Sequence, residues 1–165
     1  MPHLELHMEW AKVAAELVWD GSLRDLYVFE TSESDWDSFL SALPSWPYET
    51  SFLVDGEPSR LPQSAGAAFE IRERAAPILR VNVSGITVCA HFFTPDELEL
   101  DIDPREVSGP DRLAALSQFI CRLGRVLDRP VVLTHENRPE HFISRYLPST
   151  DEFAYPSPGA SSGAA

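Results

Sequence analysis

Lysine is all but missing from this chain: its 13 basic residues are arginines apart from Lys12, against 26 aspartates and glutamates, for a formal net charge of −13. Such an excess of carboxylates argues against sequence-independent binding to nucleic acid, which depends on basic side chains displacing phosphate counterions. It disfavours anionic membrane surfaces for the same reason. Cysteine is also scarce. Cys89 and Cys121 stand far apart, with no CxxC or histidine-rich spacing around either. That pattern points away from a disulfide framework or a zinc finger and reads both as small buried apolar residues in a reducing cytoplasm. No apolar run approaches the roughly 18 residues of a membrane span. The start, Met1-Pro2-His3-Leu4-Glu5, lacks the basic and apolar regions of a signal peptide, so the expectation is a cytoplasmic protein with no membrane contact. Serine-elbow, Walker, dinucleotide-glycine, HExxH and deaminase signatures are missing as well. Nothing in the sequence calls for a cofactor.

What the chain does have is the composition of a globular core: 165 residues, 44% apolar, with four Trp, nine Phe and four Tyr. That length fits one domain, expected to bury roughly 70% of the surface exposed by its unfolded chain. The abundance of Arg, Ala and Pro suggests a GC-rich bacterial genome. Residues 149–165, STDEFAYPSPGASSGAA, carry too little apolar surface to offset ordering entropy. The reading is therefore a single domain over 1–148 and a disordered tail over 149–165, with Phe153 and Tyr155 as its available anchors.

Periodicity supplies the elements. Leu113, Leu116, Phe119, Ile120, Leu123 and Leu127 recur at three- and four-residue steps and predict a helix over 109–127, with Ser108 as N-cap and Pro110 in the first turn. Trp36, Phe39, Leu40 and Leu43 predict a shorter helix over 34–43, closed by Pro44. A last helical turn is expected within 139–146. Alternation predicts strands over 25–31, 48–54, 78–83, 86–93, 98–103 and 131–134. Ser84-Gly85 is a two-residue hairpin signal, and Asp20-Gly21 is a candidate turn from a strand ending near Trp19. Segments 8–17 and 67–74 suit either helix or strand. Three successive strands from 78 to 103 demand antiparallel pairing. The expected fold class is α+β: a mainly antiparallel sheet with two main helices packed on one face.

The most informative stretch is Leu98-Glu99-Leu100-Asp101-Ile102-Asp103, where period two gathers Glu99, Asp101 and Asp103 on the face opposite the leucines. Three like charges in a row call for solvent, a basic partner or a cation. No DxDxDG loop with a distal Glu completes a calcium pattern. Segment 30–57 adds seven acids and no basic residue, among them Asp35 and Asp37 beside Trp36. If the two segments adjoin, acids interleaved with Trp36, Trp46, Tyr48 and Phe52 form a surface suited to a basic protein. Equally, those aromatics fill the core while the acids solvate it. His91 becomes a candidate acid, base or ligand if His135, Glu136 or Asp101 lies beside it.

The run HFFTPDELELDIDPREV, then a helix containing Leu123-Gly124, then PVVLTHEN ending at Asn137, resembles a group of small bacterial proteins similar in size and acidity to immunity proteins of polymorphic toxin systems. The resemblance spans residues 23–147 and transfers no site residues. It implies a binding role toward a toxin domain.

Two functions compete at this point. One is an acidic protein-binding module, in its specific form an immunity-type inhibitor of a basic toxin, contacting its partner through Asp35, Trp36, Asp37, Glu99, Asp101 and Asp103. The other is a small hydrolase-like enzyme built on His91, His135 and Glu136 or another carboxylate. A structural protein is the third possibility.

Overall fold

A computed structural model of the chain describes residues 6–157. Nine strands form one sheet: β1 (Arg24–Phe29), β2 (Glu49–Val54), β3 (Glu57–Ser59), β4 (Pro77–Val83), β5 (Ile86–His91), β6 (Glu97–Ile102), β7 (Val131–His135), β8 (Arg138–Leu147) and β9 (Glu152–Ala154). Their order is β3-β2-β4-β5-β6-β1-β7-β8-β9, and every neighbouring pair is antiparallel. Four helices accompany them: α1 (Trp10–Val13), α2 (Glu33–Ala42), α3 (Ala65–Arg72) and α4 (Pro110–Leu127). The architecture is α+β, with a larger sheet and more helices than the sequence foretold.

Local chemistry explains the boundaries. Ser32 accepts a hydrogen bond from the Asp35 amide while the Asp35 carboxylate accepts from the Ser32 amide, so a capping box starts α2. In α4 the N-cap is Gly109 and not Ser108: no side chain caps the helix, whose first turn relies on Pro110 and Asp111. At its other end Asp128 turns left-handed at φ 52° before Pro130. Asp55-Gly56 and Ser84-Gly85 both hold positive φ at two-residue hairpin loops, the twist such loops require.

Three expectations need correction, and one open alternative is resolved. Residues 138–147 are strand β8, because Glu136 and Asn137, with Asn137 at φ 56°, fold the chain back on β7 as a hairpin. Among the described residues no strand precedes Asp20-Gly21; segment 10–17 is α1 followed by a 3-10 turn, and β1 pairs instead with β6 and β7. Of the two readings open for segment 67–74, the helix is the one formed, as part of α3 over 65–72, capped by Ser64. Finally, order extends past residue 148. Strand β9 pairs with β8, Phe153 packs on Tyr146, and the Tyr155 hydroxyl accepts from the Glu9 amide at 2.9 Å. The remainder of the expected tail, 158–165, lies outside the described residues.

One parity of the central strands is apolar and buried: Leu26 and Val28, Leu79 and Val81, Val88 and Ala90, Leu98 and Leu100 join residues of α2, α3 and α4 in a single core. Trp36 sits at its centre, stacked on Phe92 with ring centroids 4.8 Å apart and edge-on to Phe69. Arg24 shares this parity. It is 1% exposed and donates to the carbonyls of Glu16, Val18, Ser22 and Leu23 and to Asp20, which ties residues 16–23 to the sheet. The opposite parity forms the polar face of the sheet.

Candidate functional site

Strand register brings a titratable cluster together on that polar face. One row across the sheet runs Arg80, Cys89, Asp101, Asp25, Thr134; the adjacent row runs Ile78, His91, Glu99, Tyr27, Val132. Beyond them Phe29 lies opposite Glu97. Neighbouring strands are about 4.8 Å apart, so side chains in one row touch across the ladder. To this face β6 and β1 contribute Glu97, Glu99, Asp101 and Asp25 and no cation.

His91 Nε2 lies 2.6 Å from Asp101 Oδ2. That hydrogen bond raises the imidazole's affinity for a proton above the ordinary value; burial opposes it and the charges of Asp101, Glu99 and Asp25 assist. The ring also stacks on Phe93, centroids 5.1 Å apart. Next to this pair, the Tyr27 hydroxyl is 2.8 Å from Glu99 Oε1 and 3.2 Å from Asp25 Oδ2. Asp25 is 4% exposed, and burial pushes its carboxyl up to about 6, against the pull of the Asn137 amide donating at 2.8 Å. The Tyr27 phenol is raised too, by burial first and then by its bond to Glu99. Burial, followed by the charge of Asp101, raises the Cys89 thiol, which leaves it a poor nucleophile. Two large apolar side chains border the cluster in the open: Phe29, 37% exposed, and Phe93, 52% exposed under the Arg72 guanidinium.

The residues singled out from the sequence are thus divided. Glu99 and Asp101 stand together on the polar face. Asp103, just past β6, forms a two-oxygen ion pair with Arg105 at its own turn. Asp35 is occupied with the capping box and lies 3.4 Å from Arg129 Nε, too poorly aligned for a hydrogen bond. Asp37 accepts from the Ala65 amide at 2.8 Å and fastens the start of α3. Trp36 is fully buried, its indole N–H without an acceptor, so it offers a partner no surface. Phe52 is buried in the core, and Trp46 and Tyr48, half-buried, pack against that core on Phe119.

His91 and His135 do not meet. His135 is paired in register with Arg24, on the opposite parity from Tyr27 and His91, and is three strands from β5, roughly 14 Å across the sheet. It bonds Glu16 at 2.7 Å. Glu136 accepts from the Leu23 amide, and both residues line a depression of about 280 Å³ with Asp20, Ser22, Asn137 and Arg138. Among the described residues no three His, Cys, Asp or Glu side chains converge as metal ligands, and no helix is long and apolar enough to cross a membrane.

Sequence reasoning missed Asp25, Tyr27, Phe29 and Phe93. Alternation along β1 could have placed the first three on one face, but nothing in the sequence put β1 beside β6. The chain matches no known family model, no curated protein and no solved structure.

Proposed function

We propose that this chain is an acidic protein-binding module that receives a basic protein segment on the polar face of its sheet. In its specific form it is an immunity-type inhibitor, covering the basic cleft of a bacterial toxin in the cytoplasm. The observation that carries the reading is the exposure of Phe29 and Phe93 beside Glu97, Glu99 and Asp101. Arginine side chains satisfy both components, because guanidinium pairs with carboxylate and stacks on aromatic faces. The carboxylates would steer encounter, lifting association from about 10⁵–10⁶ toward 10⁸–10⁹ M⁻¹s⁻¹ at low salt, and the aromatics would set dissociation. The two free thiols, Cys89 and Cys121, support a reducing compartment.

An arginine-rich peptide tests this by stopped-flow binding. The double variant Glu97→Gln/Glu99→Gln is expected to slow association and flatten its salt dependence, and Phe29→Ser/Phe93→Ser to speed dissociation. Rates unchanged by both variants would overturn the reading.

The His91–Asp101 pair favours a second reading, a small hydrolase-like enzyme with His91 as general base. Turnover of an ester or phosphoester, lost in a folded His91→Gln variant, would establish it.

A further inference from the structure

We infer that docking of a cationic segment on the polar face is gated by protons held in two adjoining hydrogen-bonded units, Asp25–Tyr27–Glu99 and His91–Asp101. The inference rests on the binding role proposed above and adds its regulation.

Counting hydrogens carries the argument. A phenol has one hydrogen to donate, yet carboxylate oxygens of two residues face the Tyr27 hydroxyl, Glu99 at 2.8 Å and Asp25 at 3.2 Å. Glu99 is the better placed acceptor. The same Asp25 oxygen accepts from the Asn137 amide, but with the phenol hydrogen on Glu99 its contact with Tyr27 is a hydrogen bond only when Asp25 carries its own proton and donates it to the phenol oxygen. The chain then runs Asp25 to Tyr27 to Glu99, with one charge where two would stand. A protonated His91 beside Asp101 cancels another negative charge in the neighbouring row.

The surroundings leave these groups to govern the charge of the centre. Facing Asp25 are Tyr27 on its own strand, Glu99 and Asp101 on β6, His91 on β5, Thr134 on β7 and the Asn137 amide of the β7–β8 turn. Arginines flank the face without reaching the centre: Arg80 is two strands from Asp101, and Arg145 two strands from Tyr27. Arg72 covers Phe93 at the margin.

The consequence follows from linkage. A guanidinium brought to the face favours the ionised carboxylate and the neutral imidazole, so binding expels protons. Both units act in the same direction, since losing either proton makes the face more negative. Docking should therefore tighten as pH rises through the range in which Asp25 and His91 titrate. Such a module holds its partner at neutral pH and releases it in acid.

Titration calorimetry of the intact chain with a hexa-arginine peptide, in buffers of different ionisation enthalpy, reads this directly. Release of about one proton near pH 6 is expected, with Kd about tenfold tighter at pH 7.5 than at pH 5. Asp25→Asn should reduce the proton release and flatten the pH dependence. If binding falls in Phe29→Ser and Glu99→Gln yet no proton is released, the gate is refuted and the binding role survives. Binding that is absent, or indifferent to those two substitutions, removes the binding role and the gate together. Should Asp25→Asn misfold, the carboxyl ¹³C titration of Asp25 in the unaltered chain decides: its midpoint must fall when peptide saturates the protein, and a fixed midpoint overturns the gate.

Discussion

Replacing Asp25 by asparagine is expected to make the fold more stable at neutral pH. In the native protein burial lifts the Asp25 carboxyl from its ordinary 3.8 to about 6. The folded state therefore binds this proton more tightly than the unfolded chain does, so the group's contribution is favourable below about pH 4 and is lost as pH rises through 6. At about 1.4 kcal/mol per pH unit, the full swing is about 3 kcal/mol, of which about 2 kcal/mol falls between pH 4.5 and 7.5. Asparagine keeps a carbonyl oxygen at the position of Oδ2, where the Asn137 amide and the Tyr27 hydroxyl both meet the side chain, while removing the buried charge. Urea unfolding of both proteins at several pH values isolates the effect, because the difference between them cancels the other carboxylates. Glu97, also raised by burial, titrates alike in both, and the lowered Asp20, Asp103 and Asp151 act below their ordinary range. His91, its affinity for a proton raised chiefly by the hydrogen bond to Asp101, loses its contribution as pH rises above 6.5 in both, and the variant lacks only the smallest of the causes of that rise, the Asp25 charge. A difference in midpoint that grows by about 1 M urea from pH 4.5 to 7.5 is predicted. A difference that stays constant, or a variant weaker than the native chain at pH 7.5, would refute the buried-proton argument.

Arg24→Met should cost about 3 kcal/mol or more, since it strands the carbonyls of Glu16, Val18, Ser22 and Leu23 that the guanidinium now satisfies; hydrogen exchange should show residues 16–23 losing protection before the sheet does. Gly124→Ala should destabilise by about 2 kcal/mol in thermal unfolding, because the added methyl would lie 2.6 Å from the ring of fully buried Tyr146, which has no room to withdraw. Ser32→Ala should cost about 1 kcal/mol through loss of the capping box, with α2 fraying at its start by NMR.

Elements governed by local rules were legible in the sequence. The stripe from Leu113 to Leu127 gave α4 to within a residue, and alternation located the central strands because each has one buried face. Long-range pairing was not legible. The contact between β1 and β6 joins Tyr27 to Glu99 across 72 positions, and no local propensity encodes it. Segment 138–147 misled for a related reason: Phe142, Ile143 and Tyr146 suit a helix by spacing, but their place beside β7, with a bulge at Leu133–Thr134, decides the outcome. Charge counting found Glu99 and Asp101, and it also selected Asp35 and Asp37, whose carboxylates serve backbone amides. Trp36 was drawn into the candidate surface by its acidic neighbours, although its i, i+3 spacing with Phe39 already marked a core position.

Amide chemical shifts during titration with an arginine-rich peptide at neutral pH bear most directly on the claim that the polar sheet face is the docking surface. Perturbations concentrated on Asp25 to Phe29, His91 to Phe93 and Glu97 to Asp101 are predicted. Shifts centred on the helices, or spread evenly over the acidic surface, would contradict it.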